Sequence, residues 1–348
     1  MPSPIRRYVG ARRAGALRIF RHIVQDKPVL RLCKQSQYSL GIPAYLKQQG
    51  DNLVQIHHLV TRFLKRGTWT LVFIAGLLGQ VSATELVGVD VNSGKLLYIQ
   101  TPKTVVTIAT TAAMPDAVIF GSYEQIIYAL AGTGQIHIFN PYTKADTTLV
   151  TGLSSPVNIV LEPGCKSILV SDTGVNKIFR VILSTGALTT FYSGDKIEGL
   201  VYDSNGDLFA NDDVLNATVE FNSAGAIIGQ TPSGSPLTTP DGLTYDAQTN
   251  ALYASSNTGQ IIYKISLDLT TVTVISFPVA PVLTGIVSDG AGNLYVVGVN
   301  GATSTIFKYA VPTATQTTLN TVPGLNDIAL VPRGPCIKSH GTDSTCGE

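Results

Sequence analysis

Asp116, Glu198 and Asp241 hold the same place in a sequence unit that returns every 41 to 43 residues, and Thr284 and Asn326 hold it in two further units. Val157 is the apolar exception, and Asn158 and Asp327 stand one step later in their units. A fold that gathers these places at one end of an axis would set three carboxylates among amide and hydroxyl oxygens around a common mouth. That donor chemistry suits a hard cation, since calcium takes six to eight oxygen ligands. The metal set read this way is Asp116, Asn158, Glu198, Asp241 and Asn326, with calcium the expected divalent ion. Like charges held this close raise one another's pKa unless a cation or proton intervenes. The same residues carry a conformational reading. Asp and Asn before Gly are ordinary turn formers whose side chains cap backbone N–H groups, and Asp203, Asp246 and Asp289 fit that role.

The units themselves say what must position these side chains. "PDAVIF" at 115, "PVNIVL" at 156, "IEGLVY" at 197, "PDGLTY" at 240, "LTGIVS" at 283 and "LNDIAL" at 325 align, with starts 41, 41, 43, 43 and 42 residues apart. Each of the first five is followed by three more short runs rich in Val, Ile, Tyr and Thr, separated by Gly, Asn, Asp and Ser. In the fourth unit these are "ALYASS", "IIYKIS" and "VTVISF". Four short strands per period of about 42 residues make one blade of a β-propeller.

The sixth unit supplies only a first strand, "LNDIALVP", whereas residues 85–110 supply three strands with no first strand ahead of them. Joined, they complete one blade and remove two exposed edges. The expectation is an all-β, six-bladed propeller over residues 84–334, with four-stranded blades and a closing blade shared between N- and C-terminal strands. The first strand of every blade would line the central channel, so the aligned oxygens would converge at its mouth.

These segments resemble the SMP-30/gluconolactonase/LRE-like six-bladed propellers, within a wider group that includes NHL-repeat proteins. "PDGLTYDAQTNALYASS" is similar to that family's PDG-x-x-x-D segment, "IEGLVYDSNGDLFAND" to its EG-containing segment, and "NIVLEPGCKSILVSDTGVNKIFRV" to its Asn-bearing blade. The resemblance runs over residues 85–333. It implies a divalent metal held by Glu198, Asn158 and Asp241, hydrolysis of lactones or esters with Asp241 or Glu198 as the catalytic residue that activates water, and a small-molecule substrate at the channel mouth. The chain order departs from the family's, where the Glu precedes the Asn. A ligand- or protein-binding propeller of NHL type, without catalysis, is the alternative. The single Trp, Trp69, lies outside the repeats and no WD dipeptide recurs, which argues against WD40 and tryptophan-docked propellers.

Charge divides the chain. Residues 1–83 hold 13 of the 24 Lys and Arg but only two of the 23 acids, Asp26 and Asp51, leaving 11 basic against 21 acidic residues afterwards. A domain with a net charge of about −10 by this count repels nucleic acid and anionic membrane and attracts cations. No nucleic-acid partner is expected, and the domain is expected to be a monomer.

Between the two parts, residues 60–83 have the form of a secretory signal. Arg62, Lys65 and Arg66 precede an apolar stretch at 70–78, and Val81-Ser82-Ala83 has small residues at the key cleavage positions. A secreted or periplasmic domain beginning near Thr84 is expected; an uncleaved anchor through residues 67–80 is the alternative. Residues 1–59 are basic and patternless. They read either as the product of a start assigned too early or as a basic tail ahead of an anchor. Cys336 and Cys346 enclose a short polar tail, 335–348, at a separation that suits a local disulfide in an oxidising compartment. Asn216-Ala217-Thr218 matches the N-glycosylation pattern.

Overall fold

The computed structural model describes residues 84–111, 113–121, 125–278 and 280–332. The signal or anchor at 60–83, the extension 1–59 and the tail bearing Cys336 and Cys346 lie outside the described residues. Within them, 24 strands form six four-stranded antiparallel sheets, and the one helical element is a 3-10 turn at Val311–Thr313.

Five blades run in simple chain order: residues 115–150, 156–193, 197–230, 240–276 and 282–321 are blades 1 to 5, each built outward from its first strand. Blade 6 is the shared one. Its inner strand is Leu325–Leu330, followed outward by Glu85–Asp90, Lys95–Gln100 and Thr104–Thr110. Leu86 pairs with Leu330 and Gly88 with Ile328, so the ring is fastened by an antiparallel ladder between the two ends of the domain. Neighbouring inner strands touch all the way round, Leu325–Leu330 lying between those of blades 5 and 1. The six-bladed propeller expected from the repeat is therefore present, with its closure as expected.

The core is a ring of apolar layers, each between two adjacent blades. Ile127 and Ala129 of blade 1 meet Ile159 and Val170 of blade 2. Val87 and Leu96 of blade 6 meet Val118 and Tyr128 of blade 1, completing the circuit. Second strands serve two layers at once: Tyr253 packs toward blade 5 while Leu252 and Ala254 pack toward blade 3. Their burial on both faces explains why "ALYASS" is buried throughout and shows no polar alternation.

Glycines bring the inner strands together. A Cβ on Gly199 would lie 2.5 Å from the carbonyl oxygen of Asp241 in the next blade, and one on Gly242 would lie 2.8 Å from that of Thr284. Real side chains do not tolerate such contacts with backbone. The Gly of "IEG" and of "PDG" is thus a clearance for the neighbouring blade.

Truncation tests the closure. Deleting residues 325–348 removes the inner strand of blade 6 and exposes the layers on both sides of it, and should abolish soluble folded protein. Deleting only 335–348, a polar stretch of the sequence, should leave the melting temperature within about 2 °C of the parent. Equal melting of both truncations would refute the shared blade.

Candidate functional site at the channel mouth

One irregularity recurs in every blade and creates the site. In all six ladders between inner and second strand the register slips at the second or third residue of the inner strand. Pro115 pairs with Leu130 and Ala117 with Ala129, leaving Asp116 unopposed. Asp241 and Gly242 together face the single Ser255. A β-bulge of this kind bends the strand and re-aims the extra side chain. The effect on exposure is uniform: Asp116, Val157, Glu198, Asp241, Thr284 and Asn326 are all partly accessible, while the residue before each is buried. These are the six aligned places of the repeat.

Among the carboxylates the structure brings four together. Asp241 is within electrostatic reach of Glu198, Asp116 and Asp327. Burial first, then those three charges, push the Asp241 carboxyl well above its ordinary range, with Lys196 opposing. Burial and Glu198 raise Asp116 to about 6. Asp327 rises to about 7 through burial and Asp116, although the N–H groups of Val118 and Ile328 partly stabilise its charge. Glu198 is raised by burial, which Lys196 partly offsets.

Hydrogen bonds hold the ring of inner strands and occupy some of the expected ligands. Asn326 Nδ2 donates to the Asp116 carbonyl oxygen at 3.2 Å and to its Oδ1. Asn158 Oδ1 accepts from the Leu200 N–H at 3.1 Å, tying blade 2 to blade 3. Asn211 Nδ2 donates to the carbonyl oxygens of Asp241 at 3.0 Å and Gly242 at 3.2 Å. Thr284 Oγ1 donates to Asn326 O at 2.7 Å. Val118 N–H donates to Asp327 Oδ2 at 3.0 Å. The Asp241 carboxylate has no hydrogen-bond partner among the described residues.

Of the five expected metal ligands, Asp116, Glu198 and Asp241 therefore converge, Asn326 is joined to Asp116 through its amide nitrogen, and Asn158 spends its oxygen on the next blade. Donor chemistry fits a hard cation, all-oxygen and anionic. Among the described residues, no three of His, Cys, Asp or Glu are already drawn close enough to chelate one. The turn-former reading holds for Asp203, whose Oδ1 accepts from Asn205 and Asp207 N–H, and for Asp289, whose Oδ1 accepts from Ala291 and Asn293 N–H. Asp246 caps Thr249 and also takes the Gly292 N–H of blade 5. The sequon is equally structural: Asn216 Oδ1 accepts from Thr239 N–H, and Thr218 is fully buried.

Lys196 is the residue of the carboxylate cluster that the repeat alone did not expose. It precedes the inner strand of blade 3, and its Nζ lies 2.5 Å from Glu198 Oε1 and 2.9 Å from Asp213 Oδ2. Burial pulls its pKa down, but the hydrogen bonds to Glu198 and Asp213 outweigh this and hold the ammonium above its usual range. Its signal in the sequence was being a basic residue set directly before the "IEG" segment of an acidic domain.

No protein-family model matches the chain, and no curated protein does. Solved structures resemble it. A chain of a nidogen/laminin complex aligns with TM-score 0.63 and 16% identity over 72% of this chain and 99% of that one. A catalytically inactive virginiamycin B lyase from Staphylococcus aureus with quinupristin aligns with TM-score 0.50 and 16% identity over 63% and 71%. At such identities the likeness establishes a shared propeller fold. Among the described residues no helix is long and apolar enough to cross a membrane.

The raised carboxyls set a pH dependence whose sign is fixed. Above pH 4 the folded state keeps a proton on Asp116 up to about pH 6 and on Asp327 up to about pH 7, with Asp241 shifted in the same direction, whereas the unfolded chain has released these protons. Stability should therefore fall as pH rises through that window in the presence of chelator, by up to about 1.4 kcal/mol per pH unit per carboxyl. Chemical denaturation at intervals from pH 4 to 7.5 reads this, and Asp327→Asn should flatten the slope. A stability that climbs with pH, or is flat, would contradict the buried cluster.

Proposed function

We propose that the propeller binds a cation-bearing ligand at the carboxylate end of its channel, with calcium the divalent ion of the site, as the SMP-30/gluconolactonase resemblance implies. Four carboxylates drawn from blades 1, 3, 4 and 6 share one mouth with a single lysine, and this observation carries the reading. Asp116, Glu198, Asp241 and Asp327 are the residues that would hold the ion.

Hydrolysis of a lactone or ester is the second reading, and Asp241 favours it. Its carboxyl has no hydrogen-bond partner among the described residues and is raised well above its ordinary range by burial and the neighbouring charges, which favours a proton acceptor. A bound divalent ion would supply polarisation of the substrate carbonyl. Asp241 would accept a proton from the water whose oxygen bonds the carbonyl carbon, and return it to the alkoxide oxygen released as the acyl C–O bond breaks, while Glu198 stays paired with Lys196. The similar folds were solved in a protein complex and as a lyase, so the fold itself does not choose between binding and catalysis.

Melting curves with calcium and with chelator test the site. Calcium at one hundred times Kd should add about 2.7 kcal/mol, roughly 5–10 °C for a domain of this size. Asp241→Ala and Glu198→Ala should each lose that increment. Asp241→Asn should lose it too while melting higher than the parent in chelator, because a buried repulsive charge is gone. A parent whose melting ignores both additives would sink the metal reading. A panel of aldonolactones and aryl esters then separates hydrolase from binding module.

Export belongs to the same proposal: the domain acts outside the cytoplasm after cleavage before Thr84. N-terminal sequencing of the product in the medium or periplasm should read Thr-Glu-Leu-Val, and an intact residue 1–59 segment there would refute it.

A further inference from the structure

The rim of blade 3 differs from its neighbours in both charge and polarity. Asp172 in blade 2 and Asp212 in blade 3 hold the same place, the last residue of the second strand. Asp172 receives donors on both oxygens: Ser154 N–H on Oδ2 at 2.7 Å, and Ser155 N–H at 2.8 Å and Gly174 N–H at 3.2 Å on Oδ1. Asp212 receives Val214 and Leu215 N–H on Oδ1 alone, each at 2.9 Å. In blade 3 the residue matching Ser154 is Asp195, and its N–H is diverted to the Tyr192 hydroxyl at 3.0 Å. Asp212 Oδ2 is left wholly buried with no donor among the described residues. Such an orphaned acceptor is costly.

Around this orphan stand Asp195 and Asp213, both within electrostatic reach of Asp212. The group already holds an alkyl ammonium, that of Lys196, which bridges Asp213 and Glu198. Immediately beyond Asp213, Val214 is 58% exposed and Leu215 48% exposed at the tip of the turn. Turn tips are usually built from Gly, Asn, Asp or Ser, and the matching turns of blades 4 and 6, residues 257–260 and 91–94, have no such apolar pair. Carboxylates beside two exposed aliphatic side chains complement a ligand that is cationic at one end and apolar at the other.

We propose that the rim of blade 3 binds an aliphatic primary ammonium, its nitrogen among Asp195, Asp212 and Asp213 and its hydrocarbon chain on Val214 and Leu215. An ammonium has three donors, enough to meet Asp213, Asp195 and the orphaned Asp212 oxygen together. Lys196 is the tethered competitor that an incoming amine moves toward Glu198. The inference shares the acidic mouth with the proposed function but does not require calcium.

Calorimetric titration of the full chain with butylamine, hexylamine and octylamine tests it, with hexanol and hexanoate as controls. The amines should bind and the controls should not. Affinity should rise with chain length, by up to about fourfold for each methylene buried. Val214→Ser with Leu215→Ser, both on the surface, should flatten that rise, weakening octylamine and hexylamine more than butylamine. Lys196→Met should tighten hexylamine at least tenfold by removing the competitor, and Asp213→Asn should weaken it at least tenfold. Equal binding of hexanol, or a length dependence that survives the double variant, would overturn the proposal, as would no binding by the parent and Lys196→Met alike. Calcium titrated into the same samples keeps the two ideas apart. Calcium stabilisation without amine binding refutes only the ammonium site, and amine binding without a calcium effect refutes only the metal.

Discussion

Everything in this domain depends on how closely six inner strands can approach one axis. Each apolar layer between blades forms only if the first strands converge, and convergence is limited by what stands between them. At positions 199, 242 and 285 even a methyl group would meet the backbone or a carboxylate of the next blade. The hydrogen bonds that cross between blades, such as Asn211 to the Asp241 and Gly242 carbonyls and Ser255 to the Thr284 carbonyl, satisfy backbone groups that this close approach would otherwise strand.

The same convergence makes the site. One extra residue per inner strand is accommodated by a bulge, and the bulged residue is left partly accessible in every blade. Six repeats of one packing solution thus deliver six side chains to one place, and the chemistry of the mouth is decided by which residues occupy those six positions. Here they are rich in acid. Burial strips their hydration while their neighbours add repulsion, so charge must be neutralised by proton, by lysine or by an external cation.

Much of the fold was legible in the sequence because the repeat is exact in what packing demands and loose elsewhere. Period, turn residues and the complementary fragments at 85–110 and 325–330 were sufficient to fix six blades and their closure. Asp241 was legible as a mouth residue for the same reason, since it shares its aligned place with Asp116 and Glu198. The bulge was not legible: a single extra residue per strand leaves no mark in an apolar run of six. Nor was the fate of Asn158, whose oxygen is claimed by a backbone N–H of another blade, 42 residues away. Side chains outside the repeating pattern were hidden as well. Lys196 belongs to a loop, and only the folded ring sets its ammonium between Glu198 and Asp213.

That lysine determines how the mouth can respond. Without it, Glu198 would add a fourth uncompensated charge to Asp116, Asp241 and Asp327 in a low-dielectric setting, where each interaction is several times stronger than in water. With it, one of the four is neutralised by a group on a flexible stem that has a second carboxylate, Asp213, in contact outside the cluster. On the proposed reading, a cation at the channel side would favour Lys196 on Asp213, whereas one at the rim would favour Lys196 on Glu198, so occupation of either would change the charge presented at the other. That coupling would follow from an internal ammonium placed in contact with both Glu198 and Asp213.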